Sequence, residues 1–354
     1  MSGAKRILVT GGAGFIGSAA CRRFVRDGAA VLNLDKLTYA GNLSSLAEIE
    51  GAANYRFVQG DIADRALLER LFAEFAPDAV VNFAAETHVD RSIDAPDVFV
   101  QTNVVGTHQL LSAARAYWSG LAGARRDAFR FLHVSTDEVF GALGPTGAFT
   151  ESTAYAPRSP YAASKAASDH LVQAWFTTYG LPTLCANASN NYGPYQFPEK
   201  LIPLTIINAR EGAPIGVYGD GGHVRDWLHV DDHVAALNLM LERAAPGARY
   251  VIGAAAERTN LAVVEAICDA VDRLAPGAGT RRDLIRFVED RPGHDRRYAA
   301  DSSAIARDLG WRPATRFEAG LDATVRWYLE RRAWWGPIRD GRYAGARLGL
   351  GEKP

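Results

Sequence analysis

The side chains best suited to chemistry in this sequence are those of Thr136, Asp137 and Glu138, which follow the apolar run of residues 129–134. Along a strand, neighbouring side chains point to opposite faces of the sheet. At the end of a strand the backbone turns into a loop, so both carboxyl groups can there reach one pocket. Two carboxyl groups in one pocket can serve as a general acid and a general base.

A phenol and an amine follow about two dozen residues later, where Tyr161 and Lys165 are spaced as Y-x-x-x-K. They fall at the start of a predicted helix over residues 161–178, and the four-residue spacing puts both side chains on one face of that helix. An ammonium beside a phenol lowers the pKa of the phenol, which can then act as a base near neutral pH. A phenolic base beside an acid–base pair predicts an enzyme that both oxidises and dehydrates its substrate.

A glycine-rich turn precedes both groups, since Gly11 to Gly17 comes directly after the first apolar run and opens a helix. It contains G-x-G-x-x-G from Gly12, in which glycines let the backbone approach a pyrophosphate at the helix N-terminus. Asp35 ends the next apolar run, where a carboxylate would accept hydrogen bonds from ribose hydroxyls and repel a 2′-phosphate. A capping role is the alternative for Asp35. We predict NAD as the cofactor, although the neighbouring Lys36 weakens the preference over NADP.

Short apolar runs alternate with amphipathic helical stretches through the first 186 residues. The runs cover residues 7–9, 31–34, 55–58, 79–83, 129–134 and 183–186. This pattern predicts a parallel sheet with helices on both faces, a Rossmann-type doubly wound α/β domain over residues 1–186. Beyond Asn190 the loops become rich in glycine and proline, which predicts a smaller C-terminal α/β lobe for substrate over residues 187–354. Segments of the two parts could interleave.

The composition excludes several classes of protein. A chain of 354 residues that is 48% hydrophobic can bury a large core, and a formal charge of −1 gives no field that would favour nucleic acid or a membrane surface. The three cysteines are odd in number and widely spaced, so neither a disulfide framework nor a metal site is indicated. No apolar stretch approaches the roughly 20 residues of a membrane span. We predict a cytoplasmic protein without metal, nucleic-acid or membrane partners.

Together these motifs resemble the extended short-chain dehydrogenase/reductase family, and within it the nucleoside-diphosphate-sugar 4,6-dehydratases of deoxysugar biosynthesis, most closely the branch that acts on dTDP-glucose. The resemblance covers nearly the whole chain. It rests on TGGAGFIGS (10–18), DKLTYAGNL (35–43), AAETHVDRSI (84–93), STDEVFG (135–141), SPYAASKA (159–166), SNNYGPYQFPEKLIPL (189–204), RDWLHVDDH (225–233) and RPGHDRRY (291–298). Two departures are minor. Thr87 stands where the family usually has Ser, and the stretch between Gly141 and Glu151 is shorter than in many members.

The resemblance implies oxidation of the sugar at C4, elimination of water across C5 and C6, and return of the same hydride from NAD to C6. Tyr161 would deprotonate the O4 hydroxyl while Thr136 hydrogen-bonds it, and Lys165 would hold the nicotinamide ribose. Glu138 would be the base at C5. Asp137 would protonate the departing C6 hydroxyl. The product would be a 4-keto-6-deoxy sugar nucleotide plus water.

The resemblance also implies the residues that contact each ligand. The NAD contacts would be Gly11, Gly14, Phe15, Ile16, Gly17, Asp35, Lys36, Thr38, Asp61, Ile62, Phe83, Ala84, Ala85, Thr87, Thr102, Tyr161, Lys165 and Asn191. The substrate contacts would be Thr87, His88, Thr136, Asn190, Glu199, Lys200, Leu201, Val217, Tyr218, Arg225, Asn260, Arg291 and His294. The two arginines can grip phosphate bidentately, although each alone would more often form a surface salt bridge. The histidines would line the ligand sites rather than bind metal.

Three matters stay open from sequence. The enzyme could be a 4-epimerase, or a dehydratase of another nucleotide sugar, and only dehydration changes the mass of the sugar. A catalytically inert NAD-binding regulator is a third interpretation, which measurable turnover would dismiss. The family implies a homodimer, yet the apolar faces of the helices near residues 103–117 and 161–178 could simply cover the sheet.

Overall fold

The computed structural model describes residues 5–341. Its strands in chain order are β1 (Arg6–Thr10), β2 (Ala30–Asp35), β3 (Tyr55–Gln59), β4 (Ala79–Asn82), β5 (Arg130–Thr136), β6 (Thr183–Ala188), β7 (Asn190–Tyr192), β8 (Ile215–Tyr218), β9 (Val224–His229), β10 (Arg249–Ile252), β11 (Glu257–Thr259) and β12 (Ile285–Val288). Its α-helices are α1 (Phe15–Arg26), α2 (Arg65–Phe75), α3 (Val89–Asp94), α4 (Pro96–Phe99), α5 (Thr107–Ser119), α6 (Gly123–Ala128), α7 (Pro160–Tyr179), α8 (Leu201–Glu211), α9 (Val230–Arg243), α10 (Asn260–Leu274), α11 (Ser303–Leu309), α12 (Phe317–Glu330) and α13 (Arg332–Gly341). Short 3₁₀ turns cover Leu43–Leu46, Asp137–Phe140 and Arg281–Leu284, and a π-helical segment covers Val100–Gly106.

A seven-stranded sheet in the order β10-β6-β5-β4-β1-β2-β3 forms the centre of the molecule, and every neighbouring pair in it is parallel. Its two faces have separate cores. Along β1, Ile7 and Val9 pack into the core that includes α1 and α9, whereas Leu8 packs into the core that includes α2, α5 and α7. Because both faces of the strand are buried, its sequence is continuously apolar. The predicted doubly wound fold is confirmed.

The strand order reverses between β1 and β4. Strands β2 and β3 follow β1 on one side, and β4, β5 and β6 lie in sequence on the other side of β1. In open parallel sheets, ligands bind outside the carboxyl ends of the strands at such a reversal. The glycine turn after β1 and residues 83–87 after β4 both lie at this edge.

A second group of elements follows β6. Strands β11, β9 and β7 form a three-stranded sheet, β12 pairs with β8, and helices α8, α10, α12 and α13 share one apolar core. Strand β10 belongs to the same part of the chain but pairs with β6, so the central sheet uses residues from both predicted parts. The division at residue 186 stays a prediction, and residues 342–354 of the predicted lobe lie outside the described residues. Across residues 5–341, the helices are too short or too polar to cross a membrane.

Candidate active site

One cavity of about 310 Å³ opens along the carboxyl edge of the central sheet. All the residues predicted to contact NAD and all the predicted catalytic residues line it. In chain order these are Gly11, Gly14, Phe15, Ile16, Gly17, Asp35, Lys36, Thr38, Asp61, Ile62, Phe83, Ala84, Ala85, Thr87, Thr102, Thr136, Asp137, Glu138, Tyr161, Lys165 and Asn191. Residues from Gly11 to Asn191 therefore share one surface. Their individual roles stay predictions.

The glycine turn forms a close-fitting cradle at one end of the cavity. Gly11 has a positive φ of 70°, and a Cβ atom there would lie 2.6 Å from the backbone nitrogen of Ala84. A Cβ atom on Gly17 would overlap the carbonyl oxygen of Gly11. Helix α1 begins directly after this turn, and no side chain caps it. Its first N–H groups are therefore available to an anion, as the pyrophosphate of NAD requires.

The end of β2 presents Asp35 to the same cavity. Its Oδ2 accepts a hydrogen bond from the Ala13 N–H at 2.8 Å and its Oδ1 accepts one from the Leu37 N–H at 2.7 Å. Each oxygen keeps a second lone pair for a ribose hydroxyl. The neighbouring Lys36 ammonium lies 2.6 Å from Asp61 Oδ2. Since this pairing neutralises Lys36 locally, the lysine weakens the preference for NAD less than the sequence alone indicates.

The local chain path explains how two adjacent carboxyl groups reach one cavity. Strand β5 ends at Thr136, and a 3₁₀ turn over Asp137–Phe140 follows. The Glu138 N–H donates to the Thr136 hydroxyl at 3.3 Å, which fixes the start of the turn. The alternation of the strand ends there, and both Asp137 and Glu138 line the cavity.

The surroundings of these two carboxyls differ. Burial raises the pKa of Asp137 well above its ordinary value, and the nearby carboxylates of Glu138 and Asp226 raise it further. Burial also raises the pKa of Glu138, but the positive charges of Arg291, Arg225 and Lys200 oppose that shift. Asp137 is thus the group that better retains a proton, and Glu138 the one that better loses it. This division matches an acid and a base.

Tyr161 and Lys165 share one face of helix α7, which Ser159 caps by accepting a hydrogen bond from the Ala162 N–H. The Lys165 ammonium donates to the Val134 carbonyl at 2.8 Å. Burial, followed by the charge of Glu138, holds the pKa of Tyr161 well above its ordinary value, and a hydrogen bond with Thr136 opposes this shift. The sequence predicts that the Lys165 ammonium lowers the pKa of Tyr161, whereas in the protein chain alone burial and the nearby carboxylate raise it.

The predicted substrate contacts fall into two groups. Thr87, Thr136, Asn190, Glu199 and Lys200 line the cavity. The others do not line it, and these are His88, Leu201, Val217, Tyr218, Arg225, Asn260, Arg291 and His294.

Several of the second group nevertheless connect to one another beside the cavity. The Tyr218 hydroxyl donates to Asp90 Oδ2 at 3.1 Å, and Arg291 donates to Asp90 Oδ1 at 3.2 Å. The Nε2 of His88 lies 3.9 Å from a Glu199 oxygen.

Several buried polar atoms in and beside this site have no hydrogen-bond partner. Within residues 5–341, the buried atoms without a hydrogen-bond partner include Asp137 Oδ2, Asn190 Oδ1, Glu199 Oε2, Asn260 Oδ1 and Arg291 Nε. Buried polar groups in proteins are nearly always hydrogen-bonded, and exceptions need an explanation. A ligand with many hydroxyl and phosphate oxygens, such as a sugar nucleotide, would supply the missing partners.

Comparison with known proteins identifies the family. Residues 8–324 match the family described as GDP-mannose 4,6 dehydratase. The chain belongs to this dehydratase family. It is 56% identical over 354 residues to dTDP-glucose 4,6-dehydratase of Neisseria meningitidis serogroup B, an alignment that covers 98% of this chain and 100% of that protein. The predicted place within the extended short-chain dehydrogenase/reductase family is confirmed.

Solved structures of the dehydratases and their epimerase relatives share the fold. The dTDP-glucose 4,6-dehydratase from Streptomyces venezuelae, solved with NAD and a dTDP ligand bound, has a TM-score of 0.86 and 46% identity, over 94% of this chain and 99% of that chain. The UDP-glucose 4-epimerase from Thermus thermophilus, solved in complex with NAD, has a TM-score of 0.81 and 30% identity, over 92% and 99%. Dehydratases and epimerases therefore share this fold, and the reaction has to be inferred from the residues of the site.

One histidine cluster beside the dehydratase site has the composition of a metal site. Asp290 lies 2.6 Å from His294 Nδ1 and 3.2 Å from His223 Nε2, and the two imidazole rings stack at 3.6 Å with an angle of 14°. A metal ion lies in the plane of each imidazole that binds it, and two nearly parallel stacked rings cannot both meet that condition. A shared carboxylate between neutral histidines accounts for the cluster. The expectation of no metal stays a prediction.

Other residues of this dehydratase family member line the cavity without having been predicted. They are Leu34, Ala40, Gly41, Gly60, Glu86, Val134, Ser135, Ala188, Ser189, Gln196, Phe197 and His233. Five of the twelve adjoin a residue that was predicted and eight lie within the quoted motifs, so position within those motifs was the available signal. Glu86 precedes Thr87, and burial raises the pKa of its carboxyl. His233 ends the RDWLHVDDH segment, and only the fold brings it to the cavity.

Proposed function

We propose that this chain is a dTDP-glucose 4,6-dehydratase, an NAD-dependent hydro-lyase that converts dTDP-glucose to dTDP-4-keto-6-deoxyglucose and water. The observation that carries the proposal is the pair of carboxyls with different surroundings, Asp137 and Glu138, on the same cavity wall as Tyr161 and Lys165. Curated dTDP-glucose 4,6-dehydratases that are 52–58% identical to the chain support the choice of nucleotide.

The first step uses Tyr161 as the base that takes the proton from the O4 hydroxyl, with Thr136 hydrogen-bonded to that oxygen. When bound, NAD supplies the acceptor for the hydride from C4 and later returns that hydride to C6. Lys165 holds the cofactor ribose. Oxidation at C4 makes the proton at C5 acidic, because the resulting carbanion is conjugated with the new carbonyl.

The second step uses the carboxyl pair. Glu138 removes the C5 proton, and Asp137 donates a proton to the C6 hydroxyl so that it leaves as water. Charges from Arg291, Arg225 and Lys200 favour the ionised form of Glu138 and so favour its role as the base. After hydride returns to C6, Glu138 gives its proton back to C5. The proton that Tyr161 gained from O4 balances the one that Asp137 gave to the leaving water, so one proton transfer between these two residues restores the enzyme.

Cations beside the cavity suit the diphosphate. Arg291 is held by Asp90 through one nitrogen, while its Nε remains without a partner within residues 5–341. Arg225 is buried and donates to the carbonyls of Val224 and Asp295, with Tyr298 under its guanidinium at 4.2 Å. Both arginines are thus oriented before substrate arrives, which reduces the entropy lost on binding.

The test of this function is incubation of the purified protein with dTDP-, UDP-, GDP- and CDP-glucose, followed by mass spectrometry of the products. We expect a product lighter by one water from dTDP-glucose in preference to the others. A 4-epimerase would return a sugar nucleotide of unchanged mass, since epimerisation loses no water. Dehydration confined to another nucleotide would keep the chemistry and contradict the base preference.

Cofactor preference is expected to follow Asp35. Protein stripped of nucleotide by mild denaturation should regain activity, and a raised thermal unfolding temperature, with NAD⁺ but not with NADP⁺. The reason is that the Asp35 carboxylate would repel a 2′-phosphate. An Asp35→Asn variant should narrow the difference between the two cofactors. Strict dependence of the native protein on NADP⁺ would contradict this role.

We also propose that the protein is a cytoplasmic homodimer. Its three cysteines are buried free thiols, which suits a reducing compartment. Ile93, Val98 and Val100 are 40–51% exposed on segments that pack against α7. This apolar patch adjoins the helices predicted to pair between subunits. Sedimentation equilibrium measures the assembly, and a Val98→Asp/Val100→Asp variant should shift it to the monomer.

A further inference from the structure

A buried polar network lies behind Lys165, on the side away from the cavity. His133 on β5 places its Nε2 3.4 Å from the Lys165 ammonium and 3.4 Å from Asp169 Oδ1. Asp169 is fully buried, one helical turn beyond Lys165 on α7. Tyr161, Lys165 and Asp169 are thus spaced at i, i+4 and i+8 along one helix face. The proposed mechanism uses the first two residues and assigns nothing to the third.

The tautomer of His133 follows from its neighbours. The Thr10 hydroxyl donates to Asn82 Oδ1 at 2.7 Å, which leaves the Asn82 amide nitrogen, 3.1 Å from His133 Nδ1, as a donor. Nδ1 must then accept, so Nε2 carries the hydrogen. Its nearest carboxylate atom is Asp169 Oδ1 at 3.4 Å, an oxygen that has no hydrogen-bond partner within residues 5–341. Burial lowers the pKa of His133 to about 4, so the ring is neutral at pH 7. The only formal charges in this group are Lys165 and Asp169.

The surroundings of Asp169 favour its ionised form. Its Oδ2 accepts hydrogen bonds from the Tyr155 hydroxyl and from the Asn187 amide, each at 2.9 Å. Burial would raise the pKa of Asp169, but its close approach to His133 and the charge of Lys165 hold it below its ordinary value. Other titratable groups nearby are the Cys185 thiol and the Arg249 guanidinium, which lies 5.0 Å over the Tyr155 ring.

We propose that Asp169 is a positioning residue that, across His133, holds Lys165 as an ammonium beside Tyr161 and thereby sets the pH at which Tyr161 works. This inference rests on the proposed function, because it concerns the base of the first step. Lys165 is fully buried, and Asp169 is the main group that opposes the loss of its charge. Without Asp169, the interior would favour the neutral amine.

The direction in which the pKa of Tyr161 moves distinguishes this proposal from a direct effect of the Asp169 charge on Tyr161. Removal of the Asp169 charge alone would make Tyr161 easier to ionise, since Asp169 contributes to its raised pKa. Loss of the Lys165 charge would make Tyr161 harder to ionise. Lys165 is one helical turn from Tyr161 and Asp169 is two, so the proposal takes the loss of the nearer charge to be the larger effect. The proposal therefore predicts an alkaline shift.

The test compares Asp169→Asn with Tyr155→Phe in the NAD-bound enzyme, using kcat/KM for dTDP-glucose as a function of pH. For Asp169→Asn we expect kcat/KM at pH 7 to fall on the order of 10-fold or more and to recover as the pH rises. The ascending limb of its pH profile should lie at a higher pH, by about one unit or more. Tyr155→Phe removes a hydrogen bond from Asp169 but keeps its charge, so its limb should stay in place. An unmoved limb in Asp169→Asn, or one moved to lower pH, would overturn the proposal.

A direct measurement of Lys165 does not depend on turnover. The chain has five lysines, Lys5, Lys36, Lys165, Lys200 and Lys353. Carbon-13 NMR of lysine-labelled protein, assigned with a Lys165→Arg variant, should show a charged Lys165 at pH 7 and a lower titration midpoint in Asp169→Asn. A neutral Lys165 in the native enzyme would overturn the inference even if Asp169→Asn did not fold. Failure to convert dTDP-glucose would contradict the proposed function while leaving this readout intact.

Discussion

Replacement of Tyr161 by phenylalanine is expected to lower kcat by about 10²-fold or more, the loss that follows removal of a positioned general base. The substitution removes the phenolic oxygen, the group proposed to accept the proton from O4. Without C4 oxidation the C5 proton is not acidic, so the later steps are lost with the first. The aromatic ring remains and keeps its contact with Phe99, at 6.3 Å between ring centroids, so the packing of α7 should change little.

The measurement is steady-state turnover of dTDP-glucose together with NAD binding by thermal shift. Tyr117→Phe is the matched control, because Tyr117 also has a hydrogen-bonded hydroxyl but does not line the cavity and is outside the Asp169 network. We expect Tyr161→Phe to bind NAD and fail in turnover, while the control retains both. Full activity in Tyr161→Phe would show that the tyrosine is structural and that another group deprotonates O4.

The two carboxyls should fail at different points. Glu138→Gln cannot remove the C5 proton, so the variant should oxidise C4 and stop, with little exchange of the C5 hydrogen for solvent deuterium. Asp137→Asn keeps the base, so exchange at C5 should continue while the loss of water slows. Each variant should lose on the order of 10²- to 10⁴-fold in overall dehydration. An amide preserves the shape of the side chain and removes only the titratable proton.

Deuterium exchange at C5, followed by NMR in both variants, is the deciding measurement. Exchange that survives in Glu138→Gln and vanishes in Asp137→Asn would mean that the roles are reversed. The pH dependence gives a second check. Because the pKa of Asp137 is raised in the folded protein, its proton is present at low pH and is lost as the pH rises through that raised value. Dehydration by the native enzyme should therefore decline on the alkaline side, and Asp137→Asn should lack that limb.

The central sheet and the glycine turn could be predicted because each leaves a local pattern of residue types in the sequence. Each of the six apolar runs corresponds to a strand of the central sheet, and continuous burial on both faces leaves that mark on the sequence. The glycine turn could be recognised because a positive φ at Gly11 and the close approach of Ala84 exclude other residues. Strand β10 was missed. Four residues long and far from the other strands in sequence, it has a place in the sheet that only its pairing with β6 shows.

The chemistry of the site could be predicted only in part from the sequence. Residue types and spacing identified Asp137, Glu138, Tyr161 and Lys165, because short-range geometry brings each pair together. Which carboxyl better keeps its proton depends on Arg291 and Lys200, which act on Glu138 through space and are distant from it in sequence. Pairings such as Arg291 with Asp90, 201 residues apart, follow from the folded chain alone.

The sequence by itself thus determined the sheet, the glycine cradle and the reactive side chains, since these depend on backbone periodicity and on spacing within a few residues. The tertiary structure decided what surrounds those side chains. It paired Lys36 with Asp61, left Asn190 and Asn260 with unsatisfied oxygens, and placed Asp169 behind Lys165. Charge and burial act through space, so the protonation states on which catalysis depends are properties of the folded protein.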